Sequence, residues 1–137
     1  MDIHGEWRLK TVRNILVTTL SGSWNEEASI AYFAEFRAAA EPLGRFCTLA
    51  RYDAWGGYTP EAAAGAFALR RWAYEHGCAC AAWVIEEKMM RKWIEIYLRN
   101  SEILHETRCF ASMPEAVAWL AERGFSIDLD ETDAAAA

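Results

Sequence analysis

The chain alternates between two hydrophobic periods, and that alternation restricts its fold more than any single residue does. Two strand-like runs come first, three helix-then-strand repeats follow, and a last helix closes the pattern. From Ile3 to Val12, Ile3, Gly5, Trp7, Leu9 and Thr11 fall on one side. His4, Glu6, Arg8 and Lys10 fall on the other, which is the period of a half-buried strand. Arg13-Asn14 is a tight break, and Asn14 to Leu20 resumes β-branched character with Ile15, Val17, Thr18 and Thr19. Two such runs across a short polar turn predict a hairpin.

The repeats carry their own boundary signals. Ser21-Gly22-Ser23-Trp24-Asn25 interrupts the strand, and Asn25 before Glu26-Glu27 reads as a helix start with acids near the positive end. Ile30, Phe33, Ala34 and Phe36 recur at helical spacing until Pro42 and Gly44 stop the helix. Phe46 to Tyr52 is a short apolar run suited to a central strand, and Asp53 to Tyr58 reads as a loop. Thr59-Pro60 then opens a second helix, Pro60 to His76, rich in alanine and ended by Gly77. Cys78 to Glu86 predicts a strand buried on both faces, Glu87 to Asn100 a third helix, Thr107 to Phe110 a short strand and Met113 to Arg123 a last helix. Alternation of this kind calls for a largely parallel sheet with helices on its faces. The hairpin makes it mixed. The expectation is a single-domain α/β fold with about five strands and four helices over residues 1–125, followed by an acidic, disordered tail at 126–137.

Composition narrows the function. The hydrophobic fraction of 53% and seven Trp supply one core for 137 residues. The formal charge is −6, of which Asp128, Asp130, Glu131 and Asp133 account for four, leaving the body at about −2. Nucleic-acid partners leave a basic stripe, and none is visible. No apolar run is long enough for a membrane span, no basic amphipathic helix marks a membrane surface, and the first residues lack the pattern of a signal peptide. A cytoplasmic location is expected, with Cys47, Cys78, Cys80 and Cys109 as reduced, buried thiols.

Several stretches together resemble the SpoIIAA-like group of STAS domains. They are the hairpin, Ser23-Trp24-Asn25-Glu26-Glu27, the Phe46 to Asp53 strand, and Gly57-x-Thr59-Pro60-Glu61-Ala62. The last is Phe110-x-x-x-x-Glu115-Ala116-x-x-Trp119-Leu120. The resemblance spans roughly residues 1–125 and implies a small mixed sheet with helices packed around it. Family members include anti-sigma-factor antagonists and stand-alone domains of undetermined role. The signalling members carry a phosphorylated Ser, in an Asp-Ser pair, at the start of the second helix. Here the matching stretch, Asp53 to Pro60, has no such pair. Thr59 lies nearest the helix start, as an N-cap or as a phospho-acceptor.

No catalytic constellation stands out. Cys78-x-Cys80 beside His76 lacks the spacing and fourth ligand of a zinc site, and an extended strand would point both thiols to one face. His4, His76 and His105 are dispersed, Glu26-Glu27 and Glu86-Glu87 sit at helix starts, and Gly56-Gly57 lacks the Lys of a phosphate loop. No metal and no cofactor is expected.

Two features bear on binding. In the third helix Met89, Trp93 and Ile96 form one stripe and Met90, Ile94 and Tyr97 another, an arc broader than one sheet-facing stripe needs. A wide core face accounts for it; so does a partly exposed patch for a lipophilic ligand or a partner subunit. Trp24, Tyr52, Trp55 and Tyr58 follow the second and third strands, where loops gather at the strand carboxyl ends and ligands bind in open α/β sheets. Packing over those loops is the alternative. The reading is a non-enzymatic module that holds an apolar small molecule or a protein partner, a second copy of the chain included. Its binding set is Trp24, Tyr52, Trp55, Tyr58, Met90, Trp93 and Tyr97. The alternative is a phosphorylation-dependent regulator switched at Thr59, and an enzyme ranks last.

Overall fold

Every helix is followed or preceded by a strand of the same sheet. The computed structural model describes residues 2–100 and 106–134. Strands β1 (Glu6–Val12) and β2 (Ile15–Trp24) form the antiparallel hairpin, with Val12 opposite Ile15 across the Arg13-Asn14 turn. Parallel strands β3 (Phe46–Tyr58), β4 (Cys78–Ile85) and β5 (Glu106–Phe110) extend the sheet in the order β1-β2-β3-β4-β5. Helices α1 (Glu26–Ala40), α2 (Pro60–Glu75) and α3 (Lys88–Asn100) make the parallel crossovers, and α4 (Met113–Glu122) follows the last strand. A sheet that grows in one direction through crossovers of one hand gathers their helices on one face.

Two cores result. One lies between the sheet and α1/α2 and contains Leu16, Leu20, Trp24, Tyr32, Phe36 and Phe46. The other lies under α4 and contains Ile15, Val17, Leu49, Val84, Trp119 and Leu120. The strict alternation along β2, Ile15 and Val17 to one side and Leu16 and Leu20 to the other, is what feeds both.

Three departures from the sequence pattern have physical causes. The stretch Asp53 to Tyr58, expected as a loop, continues β3. It pairs with β2 as far as Trp24 opposite Tyr58, through two register shifts that give β3 two more residues than β2 over the paired stretch. Bulges absorb such extra residues, and Ala54 takes φ +47 within this one. Cys78 and Cys80 do not share a face: β4 advances two residues, Cys78 to Cys80, where β3 advances one, Phe46 to Cys47, so Cys78 joins the α1/α2 core and Cys80 the α4 core. The tail is held as far as Ala134. Phe125 and Ile127 are buried against the α4 core, and Glu131 pairs with Arg13 of the hairpin turn. Apolar side chains among the tail's acids supply the anchor that a charge count overlooks.

Helix α1 also presents a different face from the one first read. Its buried stripe is Ala28, Tyr32, Phe36 and Ala40, at strict four-residue spacing, while Ile30 is exposed. Small residues at Ala28 and Ala40 make that stripe weak in hydrophobicity though correct in geometry. No described helix is long and apolar enough to cross a membrane.

Candidate functional site

The second half of β3 points three aromatic rings into one space. Tyr52, Trp55 and Tyr58 are three residues apart, and in a regular strand consecutive members would face opposite ways. The two bulges reset the parity, so all three line the same cavity. Their rings meet edge to face: Tyr52 and Trp55 at 5.1 Å, Trp55 and Tyr58 at 4.8 Å.

The cavity is about 220 Å³ and lies between α2, α3 and the face of the sheet that carries α1. Its floor is Thr48, Ala50, Ala81 and Trp83, from alternate positions of β3 and β4. Tyr32 and Phe36 of α1 close one end. Ala63, Ala66 and Ala73 of α2 line the side wall, and their lack of bulk leaves the space open. The same helix uses small residues differently on its other face. There a Cβ on Gly65 would come within 2.9 Å of Ser29 Cβ, and the buried Ser29 hydroxyl donates to the Ala62 carbonyl at 2.9 Å. So α1 and α2 touch closely while α2 and the sheet do not. Ile94 and Tyr97 of α3 form the roof.

Among the described lining residues, Arg70 alone is charged. Its guanidinium carbon stands 5.6 Å from the Trp83 ring centroid and 5.9 Å from that of Phe67. Its Nε and Nη1 are buried without a hydrogen-bond partner. The phenols around it are neutral at pH 7: burial pushes Tyr58 up to about 12, with the neighbouring Tyr52 hydroxyl acting in the opposite direction, and burial also raises Tyr52 and Tyr97. Tyr58 as a whole residue retains 37% of its surface, while its phenol is buried.

The residues singled out from sequence divide into three groups. Tyr52, Trp55, Tyr58 and Tyr97 line the cavity. Trp24 stands behind them, 2% exposed, with its ring 5.8 Å from Trp55 and 6.1 Å from Tyr58, and its indole N–H donates to the Ser21 carbonyl. Met90 and Trp93 are not among the lining residues, and Trp93 is 65% exposed. Of the α3 arc, Met89, Trp93 and Ile96 face outward, and Leu98 is the buried residue of the helix. The arc is therefore not a wide core face among the described residues.

Sequence reasoning missed Tyr32, Phe36, Phe67, Arg70 and Trp83. Phe67 and Arg70 had a signal, since residues three apart on an alanine-rich helix share a face. Thr59 occupies the N-cap of α2, its hydroxyl oxygen accepting from the Ala62 N–H at 3.2 Å, and it is exposed.

The other candidates are accounted for by local structure. Glu87 caps α3, its carboxylate accepting from the Met89 and Met90 N–H groups, which lowers its pKa. His76 stacks on Trp72 with centroids 4.3 Å apart. Cys47 sits against Cys80 across β3 and β4, and that sulfur together with burial keeps the Cys47 thiol protonated. Among the described residues no three His, Cys, Asp or Glu side chains converge where an ion could be held. His105 lies outside the described residues.

No protein-family model matches the sequence, and no curated protein matches it. Solved structures do. One is an uncharacterized DUF3478-family protein with a SpoIIAA-like fold from Shewanella loihica PV-4. It superimposes with a TM-score of 0.64 at 14% identity, over 88% of this chain and 97% of that one. Another is the anti-sigma factor antagonist SpoIIAA in its unphosphorylated form, with a TM-score of 0.57 at 14% identity, over 88% of this chain and 100% of the other. The chain has the SpoIIAA-like α/β fold, a mixed five-stranded sheet with four helices.

Proposed function

We propose that the protein is a non-enzymatic binding module that holds a lipophilic small molecule in the cavity between α2, α3 and the sheet. The observation that carries this reading is the cavity itself: about 220 Å³, lined mainly by aromatic and aliphatic side chains, with few polar groups. Small-molecule sites have that character. An apolar cavity of roughly 150 Å³ suffices for benzene, so this one accommodates a ring with a short substituent. Tyr52, Trp55, Tyr58 and Tyr97 act as contact residues in this reading, and Trp24 as the buried support that holds two of them in place. Trp93, on the outer surface of α3, is assigned to a partner surface rather than to the ligand.

Native mass spectrometry of protein purified without denaturation should show a retained small-molecule mass, and a dimer mass would support the partner role of α3. Indole should bind in calorimetry, and Ala66→Phe, which fills the cavity, should abolish that binding while the protein still melts cooperatively. Absence of both retained mass and indole binding sinks the reading.

A second reading makes Thr59 a phosphorylated switch. It is supported by the exposed hydroxyl at the first turn of α2, where a phosphate would meet the positive end of the helix. Peptide mapping of the protein isolated from its host decides it: an unmodified Thr59 under every growth condition removes the case.

A further inference from the structure

The one charged side chain among the cavity's described lining residues is poised for an anion that those residues do not supply. We propose that the ligand is a small carboxylate with an apolar ring body, its carboxylate on Arg70 and its ring among Tyr52, Trp55 and Phe67. This rests on the reading of the cavity as a ligand site and specifies the chemistry of what occupies it.

Arg70 Nε and Nη1 are buried without hydrogen-bond partners, and no described carboxylate forms an ion pair with Arg70. Leaving buried donors unmet is costly, and more so where the group is charged. The two rings beside the guanidinium, Phe67 and Trp83, recover part of that through their π faces, and the Tyr97 hydroxyl bonds the guanidinium, but Nε and Nη1 still meet no acceptor. They also fix the guanidinium's position before any ligand arrives, so little freedom is lost on binding. A carboxylate meets both needs, charge and acceptor oxygens, and guanidinium to carboxylate is among the stronger hydrogen-bonding pairs.

The rest of the lining sets the remainder of the molecule. It contains no described acidic side chain to compete for Arg70, and the aromatic walls favour a flat apolar body. One cation balances a monoanion and leaves a dianion undercompensated. Scaled from the benzene-sized cavity, 220 Å³ corresponds to about nine non-hydrogen atoms. That is the size of a benzene ring carrying a one- or two-carbon acid.

Calorimetric titration with three probes tests this: phenylacetate, its neutral isostere phenylacetamide, and indole. Phenylacetate is expected to bind at least about tenfold more tightly than phenylacetamide, the value of one charge-assisted hydrogen bond. In Arg70→Met that advantage should vanish, the phenylacetate-to-phenylacetamide affinity ratio falling to about one. Arg70→Lys should keep part of the preference. Equal affinity of the wild type for phenylacetate and phenylacetamide, or an unchanged ratio in Arg70→Met, overturns the proposal. Should Arg70→Met fail to fold, the wild-type ratio and Arg70→Lys decide. If indole binds and phenylacetate does not, the anion assignment falls and the cavity reading stands. If none of the three binds, both fall.

Discussion

Two tryptophans that look alike in sequence have opposite roles. Trp24 is enclosed by Trp7, Tyr32, Trp55 and Tyr58, with centroid distances of 5.3 to 6.1 Å, and its indole N–H is satisfied. Trp93 stands on the outer surface of α3. Removing a buried tryptophan forfeits transfer energy and leaves a void, so Trp24→Ala should cost about 3–5 kcal/mol in denaturant melts. Trp93→Ala should change stability by no more than about 0.5 kcal/mol. Comparable losses for the two would mean that α3 packs through its outer stripe. Neither role could be read from residue type. A Trp after a strand and a Trp on a helix are equally apolar, and only the neighbours brought in by β3 and α1 separate them. Arg70 shows the same limit from the polar side. An arginine within a helix reads as a solvated charge, and its burial follows from Phe67 beside it and Trp83 beneath it.

At the scale of elements, the periods predicted which segments are helix and which are strand, because burial on one face enforces them. What escaped was every place where an element departs from its period. The β3 extension looked like a loop because Tyr52, Trp55 and Tyr58 repeat every three residues and two glycines lie among them. A bulged strand produces that spacing as naturally as a loop does. The bulge in β4 likewise separates Cys78 from Cys80, which strict alternation places together. The small side chains of α2 suit close packing, and on the α1 side it occurs, where Gly65 meets Ser29. On the sheet side the same small side chains leave a cavity. Small residues permit close approach; whether the approach happens depends on what holds the helices apart. Here Phe67 and Arg70 of α2 reach toward Trp83 and Tyr97 and occupy that role.

At the scale of the whole chain, Ser126 and Glu131 return to the first turn. Arg13 Nη2 donates to Glu131 Oε1 at 2.9 Å and Nη1 to Oε2 at 3.2 Å, and Nη2 also meets the Ser126 carbonyl at 2.8 Å. Arg13 itself takes φ +53 in the hairpin turn, so the contact ties the tail to the sheet's antiparallel edge. The hydrogen bonds from Arg13, then the Asp128 N–H, hold the Glu131 carboxyl near a pKa of about 2, below its ordinary value of 4.5. A carboxyl depressed in the folded state stabilises the fold above its unfolded pKa, and that contribution disappears as pH falls through the folded one. The loss therefore belongs to the interval from about pH 4.5 down to about 2. Both partners touch solvent, so the effect should shrink in high salt. Glu131→Gln is the comparison. At pH 7 and low salt the wild type should melt above the variant, and the two midpoints should converge as pH falls toward 2. A gap that persists unchanged to pH 2 would show that the carboxylate's charge contributes nothing. The tail would then be held by Phe125, Ile127 and Ala134 in the α4 core and by the Arg13 hydrogen bond to the Ser126 carbonyl.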